Sequence, residues 1–479
     1  MMILSSHPSA WVLAAGLQEL ILLAGSDAYA AREASYWAEN ASLSPYCIVQ
    51  PRTTNEVALV VKALSETDGP IGLRSGGVTQ WAGSNDVKNG VTIDLGKLRD
   101  VTYNAQSKLA SLQPGARWDE VYGELQNQGV CVTGGRIGNV GVGGFLTGCG
   151  NSFHSAQNGF GCDNVVNFEV VLGNATIVNA NSTSHPDLWT ALKGGSGNFG
   201  IVTRFDMFTF PATEIWGGNR ISVRSEGEKL AQALVDFTNN NNKNPEDAFV
   251  IDHIFDPSSS PDVIVLQVIV DTHGVINASA FDDVRKIPAV VDDVQKRTLQ
   301  DLADNERVPS RQQQVWFSLS FKNDIRVINK GAELHDQLVE ELKALIPSSN
   351  FATECLFQPL PTIFTEHSIE KGGNVMGLDK VKENALIWLI AGASGTPEES
   401  AIMREKLSAL TASFEQYAAS EGLGNDLEWL NYADQTQNPL KSYGKENVDF
   451  IRKVAEKYDP AGVFQKKVVT GWKISKVSQ

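Results

Sequence analysis

Two periodicities run through the chain. In some segments apolar and polar residues alternate with a period of two, and in others the apolar positions recur every three to four residues. Val57, Val60, Val61 and Leu64 share one face of a helix that opens at Thr54-Asn55, with either residue a plausible cap. Val121, Tyr122 and Leu125 predict a second helix over 118–128, stopped by Gly129. Short apolar runs at 46–49, 70–73 and 90–95, bounded by proline and glycine, read as strands. Segments 165–172 and 175–179 alternate as a hairpin around Gly173-Asn174. A short helix then starts at Ser184-His185-Pro186, with Asp187 near its positive end and His185 a surface or capping residue. At the start of the chain, residues 11–16 and 20–24 read as an amphipathic helix. Past Phe210-Pro211 the character changes: strands at 248–255, 263–270, 315–321 and 385–391 are interspersed with helices at 227–238, 332–345 and 397–421. That order predicts a separate α+β unit built on an antiparallel sheet.

A chain of 479 residues exceeds what one hydrophobic core usually serves, so two domains are expected. A net charge of −16 repels phosphate backbones and anionic lipid, which argues against nucleic-acid and membrane partners. No apolar run reaches the length of a membrane span. Five scattered cysteines without a CxxC pair, and seven histidines without an HxH or HExxH cluster, suggest neither a disulfide framework nor a metal site. No lysine or arginine precedes the apolar segment near the start, which favours the cytoplasm, although four sequons leave secretion open.

The chemistry concentrates in three glycine-rich loops. Residues 132–167 carry glycine every two or three positions with almost no charge, a density suited to a main chain that must touch a ligand without a Cβ in the way. Upstream, Ser75-Gly76-Gly77 follows one predicted strand, in a turn that presents successive N–H groups as a nest for a pyrophosphate. Downstream lies Gly194-Gly195-Ser196-Gly197-Asn198-Phe199-Gly200. Three such loops in one third of the chain point to a dinucleotide cradle.

The same stretches, 74–84, 134–150, 159–165 and 197–203, together with Asn431-Tyr432 and the tail segments 439–444 and 457–465, resemble the signatures of the vanillyl-alcohol oxidase and p-cresol methylhydroxylase superfamily. Within it, the resemblance is to the fungal berberine-bridge-enzyme-like oxidases. It implies an α+β, two-domain architecture: a PCMH-type FAD-binding domain over 1–212 (core 43–212), an inserted substrate domain of antiparallel sheet plus helices over 213–426, and a return to the first domain over 427–479. It also implies FAD, a small organic substrate of secondary metabolism, hydride transfer to the flavin and O2 as acceptor. Cofactor contacts would come from Ser75, Gly76, Gly77, Val78, Thr79, Ser84, Asn139, Gly141, Gly143, Gly144, Thr147, Gly148 and Ser152, with Gly197, Ile201 and Val202 nearer the adenine. Asn431 and Tyr432 would lie beside the isoalloxazine, Tyr432 orienting the ring or accepting a proton. Asp252 and His253, on a predicted strand of the inserted domain, are further candidates for the base, and Trp81 and His154 for the substrate pocket.

One departure from the family pattern matters. The usual Ser-Gly-Gly-His, whose histidine bonds to the flavin, reads Ser75-Gly76-Gly77-Val78 here, and the position of the second tether, a cysteine in doubly linked members, is Ile137. Neither side chain can form the bond, so the FAD is expected to be non-covalent. The same loss opens an alternative: a redox-neutral cyclase or similar catalyst that retains the fold with FAD as a structural prop, or without it.

Overall fold

The computed structural model describes residues 16–306, 312–346 and 350–478. Of the helix expected near the start, 11–15 lie outside that set, and the described remainder is not helical at 21–23. There Ile21–Leu23 forms an edge strand antiparallel to Cys47–Val49, because a short apolar run meets an open strand edge. Cys47–Val49 and Ile71–Arg74 both run parallel to Val91–Asp94. Parallel neighbours need a crossover, which the helix Thr54–Ser65 provides, burying Val57, Val60, Val61 and Leu64 as their spacing predicts. Its cap is Thr53, one residue before those expected, with the hydroxyl accepting from the Glu56 amide at 3.2 Å. The Ser75 loop thus leaves the carboxyl end of a parallel strand, where open sheets commonly receive ligands.

A second sheet is antiparallel throughout, in the order Val101–Asn104, Leu109–Leu112, Ile201–Phe208, Val165–Val171, Ile177–Asn181. It holds the expected hairpin. The third glycine loop runs directly into its strand Ile201–Phe208. Asp187, near the start of the helix Pro186–Leu192, accepts from Lys457 Nζ at 2.6 Å and Tyr458 OH at 2.7 Å, tying that helix to Lys445–Tyr458 near the end of the chain.

Among the described residues, the third sheet has nine strands, all antiparallel. Its central run is Ile215–Val223, Ile264–Asp271, Asp247–Phe255, Phe351–Leu360, Ala385–Ser394 and Gln313–Lys322. Ile215–Val223 and Phe351–Leu360 were not among the predicted strands. One face lies under the helices Gly227–Asn240, Ile325–Leu345 and Pro397–Ser420, where Phe249, Ile251, Phe357 and Trp388 pack with Leu234, Ile328 and Phe414. Leu360, Ile387 and Val270, from the other face, join the core of the glycine-loop unit. Successive side chains alternate between these faces, so the sheet separates a helix layer from a cofactor-loop layer. After Asn425 the chain rejoins the first layer: Trp429, Leu430 and Ile451 enter its core, Phe464 and Val468 pack under the parallel strands, and the Val469 amide donates to Ile71 O at 3.0 Å. Among the described residues, no helix is long and apolar enough to cross a membrane.

Candidate active site

All three glycine loops line one open cleft, about 1680 Å3 with the solvent space at its mouth included. Gly76 and Gly141 stand back to back: a Cβ on Gly76 would fall 2.6 Å from the Gly141 Cα, and one on Gly141 would fall 2.5 Å from the Gly76 Cα. Two main chains touch there, which only glycine permits. Arg117 fastens the pair, donating from Nη2 to Gly76 O at 2.7 Å and from Nη1 to Asn139 O. Burial, with Arg74 and Arg32 nearby, pulls the Arg117 guanidinium down to about 10, so it remains charged at neutral pH. Gly77 turns the loop with φ of 66°, the left-handed region glycine enters without strain.

Of the residues expected at the cofactor, Ser75, Gly76, Gly77, Val78, Thr79, Ser84, Gly141, Gly143, Gly144, Thr147, Gly197, Ile201 and Val202 line the cleft, together with Trp81, Asn431, Tyr432 and Ile137. Three do not. Asn139 contributes its carbonyl to Arg117, Gly148 lies against the Asn431 amide, and Ser152 is buried, its hydroxyl accepting from the His154 amide at 3.3 Å. The cleft suits a nucleotide of this kind. A Cβ on Gly144 or Gly197 would meet nothing within 4 Å, so bare main chain faces open space there. Ser84 Oγ, Trp81 Nε1 and Asn431 Oδ1 have no protein partner among the described residues, as expected of groups reserved for a ligand. Among the described residues, neither histidine nor cysteine lines the cleft.

The tail of the chain closes one end. Thr470 Oγ1 accepts from the Leu73 amide at 3.1 Å, Gly471 N donates to Gly83 O at 3.2 Å, and Trp472 packs on Trp81 with ring centroids 5.1 Å apart. Lys473 follows, lining the cleft, with Nζ donating to Gly197 O at 3.3 Å. Burial brings its ammonium down to about 7. The nest reading assumed main-chain amides alone, and sequence offered no signal for this lysine.

At the other end, Tyr432 meets two residues the sequence reading passed over. Arg136 Nη2 donates to the Tyr432 OH at 3.1 Å and to Gln358 Oε1 at 2.5 Å, and Gln358 Nε2 donates to the same hydroxyl at 3.3 Å. Trp316 and Trp429 flank the tyrosine with ring centroids 6.1 and 6.5 Å away. Asn431 Nδ2 donates to Gly144 O at 3.2 Å, so the Asn431-Tyr432 pair is anchored on the glycine-rich stretch it faces. This cluster joins a glycine loop, the large sheet and the chain's return, segments that no local pattern connects.

The remaining candidates lie elsewhere. His253 points from the sheet into the helix layer, where Gly227 lies against it and Arg224 and His335 are neighbours; burial drives it far below its ordinary range. A neutral imidazole sealed there cannot reach the cleft. Asp252 is on the opposite face, because it pairs with Leu356, two residues from Gln358 on the same side. It is 6% exposed and does not line the cleft, and burial beside Glu354 pushes its carboxyl well up. His154 is buried against Phe210 at 4.7 Å outside the cleft wall, its imidazole brought down to about 4 by burial and by His273.

An FAD binding domain model matches residues 45–181. The FAD-dependent monooxygenase drtC of Aspergillus calidoustus is 38% identical over 458 residues, covering 95% of this chain and 87% of that protein. The FAD-dependent monooxygenase sdcF of Emericella nidulans is 35% identical over 462 residues, covering 95% and 96%. Among solved structures, xylooligosaccharide oxidase of Myceliophthora thermophila C1 superposes with a TM-score of 0.76 at 20% identity over 97% of this chain and 99% of that one. For 6-hydroxy-D-nicotine oxidase of Arthrobacter nicotinovorans the TM-score is 0.77 at 18% identity, over 94% and 96%. With the cleft, the glycine cradle and relatives matched over most of their length in agreement, the chain belongs to the family of the fungal FAD-dependent monooxygenases and shares the fold of these oxidases.

Proposed function

We propose that this oxidoreductase withdraws hydride from a small organic molecule of secondary metabolism onto a dissociable FAD, with O2 as the final acceptor. The observation that carries the reading is the composition of the cleft wall: Val78 and Ile137 occupy the tethering positions, and no described lining residue is a histidine or a cysteine. The names of the two fungal relatives, both monooxygenases, support an oxygen-using reaction.

Bound FAD supplies the hydride acceptor; the chain supplies position and proton handling. Gly76, Gly77, Gly141, Gly143 and Gly144 would offer main-chain contacts to the pyrophosphate and ribityl chain, and Gly197, Ile201, Val202 and Lys473 would lie towards the adenosine. Tyr432, as the phenolate, would accept the substrate proton, and the Arg136 guanidinium at 3.1 Å offsets the negative charge its oxygen carries until then. Gln358 fixes the direction of the phenol, while Trp316 and Trp429 exclude water from the same end of the cleft.

Acid precipitation of the pure protein tests the cofactor: yellow in the supernatant is expected, and yellow in the pellet would refute the valine argument. Colourless protein would favour the redox-neutral alternative. Anaerobic bleaching by substrate then separates redox from redox-neutral catalysis, and reoxidation on admitting air tests O2.

A further inference from the structure

Among the described residues, Arg136 has no ion-pair partner. Its described hydrogen bonds go to the uncharged amide of Gln358 and to the Tyr432 hydroxyl, both from Nη2, and no described carboxylate lies within ion-pair distance of it. A guanidinium stays protonated and carries five N–H donors, so the groups on Nε and Nη1 remain available. Glu306 feels the Arg136 charge, but its carboxyl accepts from Asn219 Nδ2 at 2.7 Å, and burial pushes it up. Asp252 and Glu354 project from the same sheet face as Gln358, and burial raises both. Burial works against the ionisation of each of these three acids. Around it the cleft is aromatic, lined by Phe145, Trp316, Trp429 and Tyr432, in a chain whose net charge of −16 otherwise repels anions.

We propose that Arg136 anchors the substrate directly, and that this substrate is an aromatic compound bearing a carboxylate or phenolate. The aromatic frame is held by the tryptophan walls and the oxyanion by the unused guanidinium N–H groups, which places a carbon of that frame near Tyr432. This deepens the flavin-dependent reading of the cleft and rests on it.

The full-length holoprotein is titrated with 2-naphthoate and with uncharged 2-naphthamide, following the visible band of the flavin and, independently, tryptophan fluorescence. The acid is expected to bind at least about 10-fold more tightly than the amide, the scale of a charge-assisted hydrogen bond. Arg136→Gln should weaken the acid by about 10- to 100-fold and leave the amide within about 3-fold, with Arg136→Lys intermediate. Tyr432→Phe should keep the preference for the acid, since the contact does not pass through the phenol. Three results would each overturn the inference: no preference for the acid in the parent protein, equal losses for acid and amide in Arg136→Gln, or loss of the preference in Tyr432→Phe. A protein that isolates without flavin but shows the Arg136-dependent preference by tryptophan quenching would reject the flavin reading and keep the anion anchor. A yellow protein lacking that preference would do the reverse.

Discussion

Replacing Gly76 with alanine perturbs the one place where two cofactor loops meet main chain to main chain. The new Cβ would lie 2.6 Å from the Gly141 Cα and 2.8 Å from its amide nitrogen, where ordinary contact begins near 3.4 Å. Neither atom belongs to a flexible side chain, so the loops must part by about an ångström. That shift lengthens the 2.7 Å bond from Arg117 Nη2 to Gly76 O towards breaking. Overpacking costs about 1–3 kcal/mol and a weakened charged hydrogen bond a similar amount. A combined penalty of about 2–4 kcal/mol on the closed cradle corresponds to roughly 30- to 1000-fold weaker FAD binding. The assay is fluorescence titration of the flavin-stripped protein with FAD, alongside thermal melting. Gly144→Ala is the matched control: its Cβ meets nothing within 4 Å in the protein, so the melting temperature of the stripped protein should hold while FAD affinity falls, because the methyl enters the space assigned to the cofactor. If Gly76→Ala bound FAD like the parent and melted at the same temperature, the back-to-back contact would not be what shapes the site.

Other expectations follow from single contacts. Tyr432→Phe should retain flavin but slow its anaerobic reduction by substrate about 10²- to 10⁴-fold, the usual range for a lost proton acceptor; an unchanged rate would assign the proton to another group. Gln358→Ala, which only releases the direction of the phenol, should slow the same step less. Asp247, buried beside Asp271 and Glu246, has its carboxyl raised to about 8. Unfolded, it ionises near 4, so the unfolded state sheds that proton first and the fold loses up to about 1.4 kcal/mol per pH unit between those values. Asp247→Asn should therefore raise the melting temperature at pH 8 and leave it nearly unchanged at pH 4. Asp94 shows the opposite sign: Arg32, with Arg74 and the Gly96 amide, holds its buried carboxyl below the ordinary range, so its contribution is present above about pH 4 and is lost as pH falls through the depressed value. Asp94→Asn should cost about 3–5 kcal/mol at pH 7, read by urea unfolding, and much less at pH 2.

Much of the cofactor side was legible in the chain because its requirement is local. A main chain that must approach a ligand or another main chain excludes Cβ atoms, and that exclusion is written directly as glycine at 76, 77, 141, 143, 144 and 197. The periodicities likewise predicted the crossover helix Thr54–Ser65, the hairpin over 165–172 and 175–179, and four strands of the large sheet. The strand Phe351–Leu360 escaped notice although it carries Gln358. Its even positions are Ala, Glu, Leu, Gln and Leu, and both of its faces are covered, so no clean alternation marks it.

The chemistry at the far end of the cleft was decided by tertiary structure. Arg136 bonds to residues 222 and 296 positions away, and Arg117 reaches 41 positions back to Gly76, separations that no motif encodes. Asp252 and His253 show the limit most plainly. Alternation alone puts them on opposite faces of a strand, but only packing determines that the helices cover His253 while Asp252 shares the face of Gln358. Which face of a sheet meets a ligand depends on what docks against each side, and that is a property of the assembled layers rather than of any one strand.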